Sequence, residues 1–127
     1  MTSKARARRI SDRILEELAL ILQKDAHDPR LTMVTVTGVD LDRELAYATI
    51  YVSALGDDER RKEVMAALDS ARGFLRSELA ARIQLRSFPQ LRFRWDASYQ
   101  RGARIEELLD QLNSEQKEDP QVDTAAE

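Results

Sequence analysis

Leu45-Ala46-Tyr47-Ala48-Thr49-Ile50-Tyr51-Val52-Ser53 is the stretch whose reading decides the fold. Ala46, Ala48, Ile50 and Val52 fall on one side of an extended chain, and Tyr47, Thr49 and Tyr51 on the other. A period of two with one apolar side predicts a strand with a single buried face. Immediately upstream, Thr32 to Asp40 is rich in β-branched residues and predicts a second strand, joined to the first through the polar turn Asp42-Arg43-Glu44 as a hairpin. Gly38 inside that strand is the expected place for a bulge. Downstream, Gly56-Asp57-Asp58 opens a helix, with acids against the positive end of its dipole. Val64, Leu68, Ala71, Leu75 and Leu79 hold helical spacing to about Leu85. Gly73 sits in the middle of that run, where glycine costs about 1 kcal/mol relative to alanine. A kink, or two helices meeting, is expected near Ala71-Arg72-Gly73. Pro89 then precedes a third strand, Leu91 to Asp96, with Leu91, Phe93 and Trp95 inward and Arg92 and Arg94 outward.

Toward the ends the signals change. From about Ala5 to Asp25, Ile10, Ile14, Leu18 and Leu22 recur every four residues, the stripe of an amphipathic helix. Asp28-Pro29 ends it, because the residue before proline is pushed out of the α region. After the third strand, Ile105, Leu108, Leu109 and Leu112 form a weaker amphipathic segment. From Asn113 onward nothing is periodic, and the composition predicts a disordered acidic tail over residues 113–127. Residues 1–112 are therefore expected to form one domain. Its order is helix, strand, strand, helix, kinked helix, strand: an α+β fold whose three-stranded sheet is covered by helices on one face. The other face presents Tyr47, Thr49, Tyr51, Arg92 and Arg94.

The 127 residues carry a net charge of −3, yet the charge is segregated. Residues 1–13 hold Lys4, Arg6, Arg8, Arg9 and Arg13 against Asp12 alone, a net +4. Residues 72–105 hold eight arginines against Glu78 and Asp96, a net +6. The segment between them and the segment after them are acidic. Exposed charges act over about 10 Å in physiological salt, so a partner meets the basic patches and not their sum. No cysteine is present, which removes disulfides and thiolate metal sites and suits a cytoplasmic protein. Met1 is followed by polar and basic residues, with no secretory signal, and no apolar run is long enough to span a bilayer.

Catalytic constellations are missing. His27 is the only histidine, beside Asp28 at a helix end, and reads as a surface loop residue. One histidine and no cysteine cannot assemble an activated nucleophile. Asp40 and Asp42, or Asp57 and Asp58, are turn acids without a third ligand, and no phosphate-binding glycine loop occurs. No enzyme, cofactor or metal is expected. The arginines point instead to RNA phosphate, which a planar guanidinium meets with two parallel hydrogen bonds. One candidate group is Lys4, Arg6, Arg8, Arg9 and Arg13. Another straddles the helix break and the third strand: Arg72, Arg76, Arg82, Arg86, Arg92 and Arg94, which would form one surface. Arg76 and Arg82 have a competing role in helix salt bridges with Asp69 or Glu78. Arg30 is a further RNA candidate. Phe74, Phe88, Phe93 and Trp95 are expected in the core, so sequence-specific base stacking on the sheet is not supported. The rival readings are a protein–protein adaptor using the exposed sheet face, and a metal-dependent nuclease using the turn acids.

The pieces in order resemble the ribosome-binding factor A family over roughly residues 5–112. They are Arg9-Ile10-Ser11-Asp12 through Ala19-Leu20-Ile21-Leu22-Gln23, then Asp28-Pro29-Arg30-Leu31 and Val36-Thr37-Gly38-Val39. Ala46-Tyr47-Ala48 follows, leading to Tyr51-Val52-Ser53, and then Pro89 through Phe93 and Asp96 to Ser98, with Gly102 and Arg104-Ile105. The resemblance implies a type II KH fold. It also implies a factor that binds the small (30S) ribosomal subunit and assists late maturation of its 16S rRNA; nothing in the sequence suggests more than a monomer. KH domains usually hold nucleic acid with a Gly-x-x-Gly loop between two helices. Here Ala71-Arg72-Gly73 stands at that place, similar to the family's Ala-x-Gly, and the resemblance adds Ala71 and Gly73 to the expected RNA contacts.

Overall fold

The computed structural model describes residues 2–24, 27–98, 109 and 112. It divides into two units, residues 1–96 and residues 97–127. In the first, helix α1 spans Lys4–Lys24, a short 3-10 turn spans Pro29–Leu31, strand β1 spans Thr35–Leu41 and strand β2 Tyr47–Ser53. Helix α2 spans Asp58–Arg82 and strand β3 Gln90–Trp95. In the second unit, Ala97, Ser98, Leu109 and Leu112 are helical, and the last two are exposed. The expectations for Ile105 and Leu108, and for the tail at 113–127, fall outside the described residues.

The sheet order is β1-β2-β3. β1 and β2 are antiparallel, as the hairpin requires, while β2 and β3 are parallel. A parallel pair needs a crossover, and α2 is that crossover. The register slips between Val36 and Gly38, which places the bulge where the glycine suggested it. Ala48, Ile50 and Val52 are fully buried and meet Leu91 from β3 and Ile14, Leu18 and Ile21 from α1. Val64, Leu68, Leu75 and Leu79 of α2 complete the same cluster. Both helices thus cover one face of the sheet. Ala46, expected inward, lies before β2 begins and is exposed.

Of the two expectations for the second helix, a pair of helices meeting near Ala71-Arg72-Gly73 is not what forms. α2 runs through Ala71-Arg72-Gly73 as one assigned helix of 25 residues. Glycine keeps its N–H donor, so it weakens a helix without interrupting the ladder, and the burial of Leu68 and Leu75 on either side offsets its cost of about 1 kcal/mol. Phe74 is a second correction. It is 46% exposed, because it lies one residue, about 100°, off the stripe that Leu75 buries. Phe88 is buried, and Phe93 and Trp95 are half-buried against the core, as expected.

The end of the molecule where α2 begins is held by polar contacts. Asp57 caps α2 by accepting from the Arg60 N–H at 3.0 Å. The Arg60 guanidinium donates to the Arg30 carbonyl at 2.7 Å and to that of Thr32. Asp28 accepts from the Arg30 N–H and guanidinium, which holds its carboxyl below the ordinary carboxylate range. Asp42 accepts from the Ala46 and Tyr47 N–H groups in the hairpin turn. These turn acids have structural work, and among the described residues no group of three possible ligands could hold a metal ion.

Candidate nucleic-acid interface

Helix α1 buries the stripe Ala7, Ile10, Ile14, Leu18 and Ile21, and its basic residues flank that stripe on two sides. Arg6, Arg9 and Arg13 follow at spacings of three and four, so they share one side. With Ile10, Ile83, Gln84 and Leu85 they line a shallow groove of about 360 Å³ between α1 and the residues that follow α2. Among the described residues no acidic side chain lines it. Arg13 donates to the Arg82 carbonyl at 3.3 Å and pairs with Glu17 at 3.5 Å, while Arg6 and Arg9 have no side-chain partner among the described residues. Lys4 and Arg8 border a different concavity with Asp12, Asp40 and Arg43, where the charges are mixed. Lys4, Arg6, Arg8, Arg9 and Arg13 therefore divide between an arginine-lined groove and one of mixed charge.

The second group of arginines does not form one surface. Arg72 is exposed on α2 and pairs with Asp69. Arg76 is half-buried and donates to the Pro89 carbonyl at 3.1 Å and to that of Phe88, so its guanidinium fastens the loop leading into β3. Arg82 pairs with Glu17 at 3.7 Å and with Glu78 at 3.5 Å, tying α2 to α1. Arg30 is engaged with Asp28. Arg92 and Arg94 are exposed and project from the sheet face opposite the helices. Strand alternation separates them from Arg72 and Arg76 although little sequence does.

Ala71 is half-buried and Gly73 is exposed, and a Cβ built on Gly73 meets nothing within 4 Å. The helix surface there is open down to the backbone. Three features had no signal in the sequence: the Ile83-Gln84-Leu85 wall of the groove, the Arg60 anchor, and the stacking of Arg92 on Tyr47. Each depends on which elements become neighbours. His27 is exposed in its loop, as expected.

A small α+β domain with this element order, a parallel β2–β3 pair and an arginine-lined groove is a KH-like domain with a cationic face. The chain belongs to the ribosome-binding factor A family, which it matches over residues 6–109. It is 46% identical over 107 residues to ribosome-binding factor A of Nitrosomonas europaea, covering 84% of this chain and 92% of that one. The crystal structure of ribosome-binding factor A from Thermus thermophilus superposes with a TM-score of 0.56 at 29% identity, covering 73% of this chain and 94% of the other. A homology model of the Thermus thermophilus factor, fitted into the cryo-electron-microscopy map of its complex with 30S, gives a TM-score of 0.53 at 30% identity. That likeness covers 72% of this chain and 93% of the fitted one. No described helix is long and apolar enough to cross a membrane.

Proposed function

We propose that this protein is an assembly factor that docks on the small ribosomal subunit in the cytoplasm and assists late maturation of its 16S rRNA. It acts by binding, without catalysing a reaction. The observation that carries the reading is the groove lined by Arg6, Arg9 and Arg13, on a fold whose relative has been fitted into a 30S complex. Phosphate contacts supply affinity that falls with salt, and the shape of the folded RNA supplies selectivity. A factor that prefers one RNA conformation shifts the population toward it without chemistry. Lys4 and Arg8 on the other side of α1, Arg30 at the 3-10 turn, and the open surface of Ala71, Arg72 and Gly73 on α2 are the further contacts of this reading. Arg76 enters it indirectly, by holding the loop before β3.

The test is co-sedimentation of the full chain with precursor and mature small subunits over a salt series. Arg6→Glu combined with Arg9→Glu is the informative variant, because neither side chain has a partner among the described residues whose loss would unfold the protein. Binding should be salt-dependent, and each phosphate contact removed should lower the slope by about one. A variant that binds as the parent does would move the docking surface off α1. A parent that binds neither subunit form would remove the ribosomal reading.

A further inference from the structure

The sheet face that the helices leave uncovered carries more than ordinary solvent-facing polarity. The β2–β3 register sets Thr49 beside Arg92 and Tyr51 beside Arg94. The Arg92 guanidinium lies 3.6 Å from the centroid of the Tyr47 ring. A cation stacked this closely has one plane covered by the ring and keeps its in-plane N–H groups for acceptors. Arg92 is exposed, so the other plane faces solvent. Arg94 is exposed and has no partner among the described residues. Among the described residues the acids toward this face are Asp40, opposite Thr49, Asp96, which follows β3 and accepts from the Thr37 hydroxyl at 2.6 Å, and Asp42, whose carboxylate is occupied by turn N–H groups. Successive outward positions on one strand stand about 6.7 Å apart. The face thus sets Tyr47 and Tyr51 of β2, with Thr49 between them, beside Arg92 and Arg94 of β3.

We propose that this open face binds a single-stranded RNA segment. One base stacks on the outer plane of Arg92 above Tyr47, a second lies against Tyr51, and Arg94 meets the phosphate between them. Flat platforms beside cations are what an unpaired strand needs, and the recognition tolerates any base because every base has a π face. A duplex does not fit, since its bases are stacked on one another and turned inward. An acidic peptide would use the two arginines but leave the tyrosines without a role. This surface lies across the sheet from the groove on α1, so the protein joins two RNA elements. The ribosomal reading enters only as the source of the strand.

The experiment is a titration of the isotope-labelled full chain with a short oligoadenylate, followed by amide chemical shifts. The expected result is saturable binding, with shifts concentrated at Tyr47–Tyr51 and Arg92–Arg94. Tyr51→Leu, which keeps an apolar strand residue, should weaken binding about tenfold. Arg94→Gln, at an exposed position that puts no packing at risk, should reduce the salt slope by roughly 0.7. Absence of saturable binding, shifts confined to α1, or unaltered affinity in both sheet variants would overturn the inference while leaving subunit docking through α1 intact. Sheet-face binding in a protein that fails to co-sediment with subunits would have the converse meaning: the strand-binding face stands and the ribosomal reading falls.

Discussion

Gly56 shows how one residue governs a junction. Its φ is +135°, and a Cβ placed there would lie 2.7 Å from Cγ of Arg60. Arg60 cannot simply move, because its guanidinium is fixed on the carbonyls of Arg30 and Thr32. Gly56→Ala should therefore cost about 1–3 kcal/mol in chemical denaturation. Gly38→Ala should change little, since its Cβ would meet Tyr51 at an ordinary 3.9 Å. Ser53 offers the opposite case. It is fully buried, and its Oγ has no hydrogen-bond partner among the described residues. Burying an unpaired hydroxyl costs about 1–3 kcal/mol, so Ser53→Ala should hold stability or raise it by up to about 1 kcal/mol. A clear loss would mean that the hydroxyl is bonded after all, through an ordered water.

At the scale of elements, α2 is where expectation and structure differ most. Its hydrophobic spacing was legible from Val64 to Leu79, and so was its acidic start at Asp57-Asp58. Its continuity was not, because a mid-helix glycine weakens local propensity and only the packing on both sides decides whether the helix bends. Gly73 has open space around it, so no close contact within the described fold explains it. Gly73→Ala should raise the stability of the helix by about 1 kcal/mol, seen as a higher Tm. If α2 presents its open backbone to RNA, the same substitution should weaken subunit binding. A variant both more stable and equally tight would remove this part of α2 from the interface. The strands were read more accurately, since a period of two and a buried face at Ala48, Ile50 and Val52 admit one solution.

For the whole molecule, the pI of about 5.3 is a poor guide to partners. What matters is where cations are left unpaired. Glu17 lies between Arg13 and Arg82 and pairs with both. Exposed ion pairs of this kind contribute about 0–1 kcal/mol to stability, so Glu17→Gln should leave the fold intact. It should also free positive charge at the rim of the groove, giving tighter small-subunit binding at low salt and a steeper salt dependence. Unchanged affinity across the salt series would place the phosphates away from Arg13.

The sequence by itself determined the α+β class, the element order, the hairpin and its bulge, the inward faces of β2, β3 and the first helix, and the two basic segments. These follow from local periodicity, turn chemistry and charge, which residues express within a few positions of each other. Only the tertiary structure decided that β3 runs parallel to β2 and that α2 is continuous. It alone committed Arg76 and Arg82 to internal carbonyls and carboxylates, grouped Arg6, Arg9 and Arg13 against Ile83-Gln84-Leu85, and put Arg92 on Tyr47. Those outcomes depend on contacts between residues far apart in the chain, and an arginine's side chain has the same composition whether it fastens a loop or awaits a phosphate.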